Sequence, residues 1–171
     1  MFRHFVYSFI LSGLSFTQFA TRAAAAPVDD SWQKLITLAG DWEGQDASGQ
    51  TLHLSYELLS DNSALLERFG HGPDAMISVY HRDGDAIQMT HFCSAHNQPR
   101  LRAMDFASMD ELHFAFLDIT NLPVPTGDHI NGLTIFFRHD GTVVESWSAI
   151  HDGVEEPYVI ILHRVATPPH H

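Results

Sequence analysis

Seven polar side chains crowd the stretch THFCSAHNQPRLRA at 90–103: His91, Cys93, His96, Asn97, Gln98, Arg100 and Arg102. Residues of these types can bind a metal, activate a thiol or grip a ligand. For a metal, His91, Cys93 and His96 supply three donors, whereas a structural zinc site needs four at regular spacing. The chain holds thirteen histidines, and His71, His113 and His129 compete for the fourth place with nothing to single one out. No metal is assigned. For a thiol nucleophile, His91 sits two residues from Cys93, roughly 7 Å along an extended strand, too far for it to act directly as the base. A cysteine on an inward strand face serves more often as a small apolar filler. No Gly-x-Ser-x-Gly elbow or phosphate-binding loop occurs anywhere. No catalytic residue is assigned, and a binding protein is favoured over an enzyme.

Recognition remains. A guanidinium inside an apolar cavity can make paired hydrogen bonds to the anionic end of a ligand. Cations are scarce here, with nine Lys and Arg against twenty-one Asp and Glu and a formal net charge of −12. That balance argues against nucleic acid and anionic membrane surfaces as partners. It also makes Arg100 and Arg102 conspicuous.

The N-terminus has a basic start at Arg3 and His4, an apolar run over 5–20 and small residues at 23–26. This pattern predicts a secretory signal peptide over 1–25 and a single domain over 26–171, with no stable membrane anchor and a periplasmic or secreted destination. Removing Arg3 and Arg22 leaves seven cations against twenty-one acids, a formal net charge of −14. Export usually accompanies disulfides, but Cys93 is the only cysteine, so packing alone must hold the domain.

Residues 30–40 carry N-cap types, apolar positions at Trp32, Leu35, Ile36 and Ala39, and a closing glycine, which together predict one short helix. The apolar period then becomes two. Strands are predicted over 41–45, 51–59, 64–70, 75–82, 85–93, 98–106, 111–119, 130–138, 142–150 and 156–165, with Asp-Gly turns at 83–84, 140–141 and 152–153. Ten short strands in sequence order describe an all-β, antiparallel up-and-down meander, which closes into a barrel to remove its edges. The stretch over 120–128, with two prolines, reads as a loop at the barrel mouth or a lid, or as a plain long connection.

Alternation then sorts the faces. Met89 and His91 share the heavier apolar face of their strand; Phe114 and Phe116 share that of theirs; Trp147 brings Glu145 inward. Gln98, Arg100 and Arg102 share a face with Met104 and Phe106, and that face is expected to point inward.

The LAGDWEG segment after the helix, with Gly40 and Trp42, resembles the Gly-x-Trp start of the calycin class, which includes the lipocalins and fatty-acid-binding proteins. The mature chain is similar to a bacterial group of uncharacterised lipocalin-like proteins, on the strength of LAGDWEG, ISVYHRDGDAIQMTHFCSAHNQPRLRA and ESW. That resemblance implies a calycin-like barrel and no particular reaction. Similarity to fatty-acid-binding proteins implies an arginine and tyrosine anchor, here Arg100 and Arg102 with Tyr80. A Gly-x-Trp-x-Gly start is also similar to nitrobindin, a haem-binding ten-stranded barrel, which implies His163 as a haem ligand.

The expectation is an exported barrel, monomeric or weakly dimeric, without a cofactor. It would hold a small apolar or amphipathic molecule with an anionic end, anchored by Arg100, Arg102, Gln98, His91 and Tyr80, with Met89, Phe114, Phe116 and Trp147 as wall. The alternatives are an enzyme using His91 with Glu145 in the same cavity, or a haem or metal carrier.

Overall fold

A computed structural model describes residues 28–46, 48–104 and 108–166. Helix α1 (Val28–Ile36) precedes ten strands: β1 (Gly40–Gln45), β2 (Thr51–Leu59), β3 (Ala64–Phe69), β4 (Met76–Asp83), β5 (Ala86–Phe92), β6 (Gln98–Ala103), β7 (Glu111–Thr120), β8 (His129–Phe137), β9 (Val143–His151) and β10 (Val154–Arg164). Each strand pairs antiparallel with the next, and β10 returns to β1. The result is the expected closed meander with no free edge. The expected signal peptide at 1–25 lies outside the described residues.

The turns follow their chemistry. Between β9 and β10, Asp152 and Gly153 both have positive φ, at 50° and 77°, as a two-residue hairpin turn requires. In β1, a Cβ added to Gly44 would lie 2.7 Å from the Ile161 carbonyl oxygen, so only glycine lets β10 approach this closely.

Helix α1 closes one end of the barrel. Trp32 and Leu35 are buried, acidic Asp29 and Asp30 occupy the first turn and Lys34 the last, in line with the helix dipole. Trp42 donates its indole N–H to the Leu38 carbonyl at 2.7 Å. Arg164 donates to the carbonyls of Ala39 at 2.7 Å and Thr37 at 2.5 Å, and its guanidinium lies 4.3 Å from the Trp42 ring centre. The Gly-x-Trp segment is therefore the plug at this end. Asp29 pairs with Arg82 at 2.6 Å, and Lys34 reaches Asp110 at 3.4 Å, tying the helix to the rims of β4 and β7.

Above the plug the barrel is filled by apolar side chains. Leu65, Ile87, Met89, Leu101, Leu112, Phe114, Ile135, Ile160 and Leu162 have essentially no exposure. Among the described residues, the buried polar side chains of the barrel wall include Tyr56, Glu67, Ser78, His91 and Glu145.

Candidate functional site

Cross-strand pairing builds a polar row. Tyr56 on β2 stands opposite Glu67 on β3, Glu67 opposite Ser78 on β4, and Ser78 opposite His91 on β5. Directly paired residues point to the same side of a sheet, and all four are buried, so the row runs around the inner wall over four strands. Tyr80, two residues beyond Ser78, also points inward and donates its hydroxyl to Glu67 Oε2 at 2.6 Å. From β9, Glu145 and Trp147 face this row: Tyr56 donates its hydroxyl to Glu145 Oε1, and Trp147 donates its indole N–H to Glu145 Oε2 at 3.0 Å.

Above the row lies a cavity of about 290 Å³, lined by Phe69, Met76, Ile130, Ala149, Pro157 and Tyr158 as well as Glu67, His91, Trp147 and Glu156. These residues lie toward the end opposite α1, where β3 runs into β4 and β9 into β10. The lining is mostly apolar, with a few polar groups at the floor and mouth, which is the usual make-up of a small-molecule pocket.

His91 is the one imidazole at the floor. Its Nδ1 lies 3.0 Å from Ser78 Oγ, whereas its Nε2 is buried with no hydrogen-bond partner among the described residues. The ring is 5.5 Å from that of Trp147. Burial lowers the His91 pKa to about 4, so the ring is neutral at pH 7. A buried polar atom without a partner is costly and marks a place where a ligand atom or a water is wanted.

The two inner carboxyls are shifted the other way. Burial and the charge of Glu145 push Glu67 well above the usual carboxylate range, against the opposing effect of the Tyr80 and Ser78 hydroxyls. Burial also raises Glu145, opposed by its bonds from Tyr56 and Trp147. Both tyrosines are held well above their ordinary range by burial and by these carboxyls. The floor is thus a network of neutral imidazole, hydroxyls and reluctant acids.

Several expected site residues are placed inside. His91, Glu145, Trp147, Tyr80, Met89 and Phe114 all face inward and are buried. His91 and Trp147 line the cavity; Met89 and Phe114 pack deeper, with Phe114 edge-on to Tyr80 at 5.6 Å between ring centres. The expected partnership of His91 with Glu145 is not formed, because His91 is held by Ser78 while both Glu145 oxygens are taken by Tyr56 and Trp147.

The arginines correct the expected picture. On β6 the buried positions are Pro99, Leu101 and Ala103, so Gln98, Arg100 and Arg102 lie on the outer face. Arg100 pairs bidentately with Asp118 on β7, Arg102 lies 3.7 Å from Asp83 and 3.8 Å from Asp85, and Gln98 accepts from Thr120 at 2.9 Å and from Asn121. The reason is register: Leu101 pairs with the inward Met89, and Ala103 with the inward Ile87. Met104 and Phe106 suggested the opposite direction, but β6 ends at Ala103 and Met104 is exposed. Phe116 is 38% exposed beside a register shift, with its ring 5.6 Å from that of His129. His163 is exposed on the outer face of β10, where Ile160 and Leu162 point in, so it offers no haem ligand inside the barrel.

The sequence reading missed Tyr56, Glu67 and Ser78. Each shares strand parity with apolar neighbours: Tyr56 with Leu54, Glu67 with Leu65, and Ser78 with Tyr80. That alternation was the available signal.

The closed ten-stranded antiparallel barrel fits a calycin-like fold. No family model matches the chain, and no curated protein matches it. Among solved structures it is similar to the crystal structure of Rv2717c from M. tuberculosis, at 13% identity and a TM-score of 0.54 over 84% of this chain and 100% of that one. At that identity the likeness concerns the fold.

Proposed function

We propose that this is an exported binding protein that holds one small, largely apolar molecule in the open half of its barrel. The observation that carries the reading is the cavity of about 290 Å³ with apolar walls and a single unpartnered buried nitrogen, His91 Nε2, at its floor. That volume is near the lower end of ligand pockets, suiting a compact molecule rather than a long acyl chain. The leader-like 1–25 segment supports export, and the net charge of −12 supports a partner other than nucleic acid or anionic membrane. The protein acts as a monomer or weak dimer, since a barrel encloses its own ligand. The cavity does not suit an anionic ligand end, because Arg100 and Arg102 stand outside it and its own ionisable acids are carboxyls.

The test is titration with the neutral fluorescent probe N-phenyl-1-naphthylamine. Wild type should bind one equivalent, Arg100→Ala and Arg102→Ala should bind as well as wild type, and Ala149→Trp, which fills the cavity, should not bind. Equal binding by Ala149→Trp and wild type would overturn the proposal.

A further inference from the structure

The cavity has an electrostatic character that its apolar walls do not require. Two carboxyls, Glu67 and Glu145, are buried in the barrel with 1% and 0% exposure, and a third, Glu156, lines the mouth. Every arginine and the one lysine of the described residues sits on the outside: Arg100, Arg102, Arg82, Arg164 and Lys34 in the contacts given above, and Arg68 and Arg138 exposed on β3 and beyond β8. Buried carboxyls are ordinarily matched by a cation, and here the barrel supplies none from its own side chains.

The second observation is His91, 96% buried given its 4% exposure, with Nε2 free and its ring in the cavity wall. In the tautomer whose Nδ1–H donates to Ser78 Oγ, the neutral ring offers Nε2 as an acceptor. A group entering the cavity therefore meets an acceptor nitrogen, the Glu67 carboxyl two strands away across Ser78, and the rings of Trp147, Tyr158 and Phe69. An ammonium head satisfies all of these at once: it donates to Nε2, pairs with Glu67 and lies against aromatic faces. A carboxylate would find no cation to pair with, and a neutral molecule would leave the carboxyls in their protonated forms rather than paired.

Resting on the binding-protein reading above, we propose that the ligand is a small primary amine with an aromatic or compact apolar body, whose ammonium group sits between Glu67 and His91. Of the polar groups around that position, Glu67 from β3, His91 from β5, Trp147 from β9, and Glu156 and Tyr158 from β10 line the cavity, while Ser78 and Tyr80 from β4, Tyr56 from β2 and Glu145 from β9 stand behind them in the hydrogen-bonded row. Glu67 is biased toward its protonated form when the cavity holds no cation. Amine binding then ionises it and releases a proton. The acidic surface adds long-range attraction for cations, which fades as salt is raised.

The experiment is calorimetric titration of the full mature chain with three indoles that share a ring and differ at the end of the 3-substituent: tryptamine, 3-ethylindole and indole-3-propionate. Tryptamine should bind at least about tenfold more tightly than 3-ethylindole, the scale of a buried charge-assisted contact, and the propionate most weakly. Glu67→Gln should remove the tryptamine advantage while leaving 3-ethylindole binding in place, which also reports that the variant is folded. Heats in buffers of different ionisation enthalpy should show net proton release with tryptamine and none with 3-ethylindole. Equal or reversed affinities of tryptamine and 3-ethylindole in the wild type would overturn the amine assignment, whatever the variant does. If none of the three binds while N-phenyl-1-naphthylamine does, the amine assignment falls and the apolar-carrier reading stands; if the naphthylamine fails as well, both fall.

Discussion

Replacing His91 with leucine should flatten the acid limb of the stability curve. The imidazole is held at about 4 in the fold, against 6.5 for the free side chain. As pH falls below 6.5 the unfolded chain takes up a proton that the folded ring refuses, so stability is lost until the folded pKa is reached and changes no further below it. With those two values, the loss attributable to His91 is about 2 kcal/mol at pH 5 and about 3 kcal/mol at pH 4, relative to pH 8. That is a large part of the ~5–15 kcal/mol typical of a domain. Glu67 and Glu145 act in the opposite sense, since carboxyls with raised folded pKa values favour the fold at low pH. Both proteins contain them, so the difference between wild type and variant isolates the histidine. His91→Leu also leaves Ser78 Oγ without its partner, at a cost of about 1 kcal/mol that is the same at every pH. Equilibrium urea unfolding at pH 8, 6, 5 and 4 measures this directly. The variant should start less stable at pH 8, and the gap should close or reverse by pH 4. Parallel curves would refute the claim that His91 is buried in its neutral form.

Glu145→Gln should show the opposite trend. Wild-type stability falls as pH rises from the ordinary carboxylate range through the raised folded pKa of Glu145, so the variant should gain on wild type between pH 5 and pH 8 in the same unfolding assay. A pH-independent difference would contradict the raised pKa. Gly44→Ala should destabilise by about 1–3 kcal/mol, because the new methyl group meets a strand backbone rather than a yielding side chain. Thermal unfolding indistinguishable from wild type would show that β1 and β10 are less tightly apposed than described.

The fold was legible because its signals are local. Asp-Gly pairs fixed three of the hairpin turns, alternation marked the strands, and Gly40 and Trp42 located the plug. Alternation also placed Glu145 and Trp147 inside, since one large ring decides a face. It failed on β6, where each face offered two or three plausible residues and the strand's end, set by pairing with β5, determined which counted. The scarcity of cations drew attention to Arg100 and Arg102, yet scarcity says nothing about direction, and the nearby Asp118, Asp83 and Asp85 hold both outside. The polar row was harder to see. Tyr56, Glu67, Ser78 and His91 are spread over thirty-six positions and come together only through the registers of three strand pairs, which no single segment encodes.

The most direct test of the account is nuclear magnetic resonance of the protein with ¹⁵N-labelled histidine and tryptophan, titrated with N-phenyl-1-naphthylamine. The His91 ring nitrogens and the Trp147 indole N–H should shift together and saturate at one equivalent, while outward-facing His163 stays fixed. Saturable binding that leaves the His91 and Trp147 signals unmoved would contradict a ligand site inside the barrel.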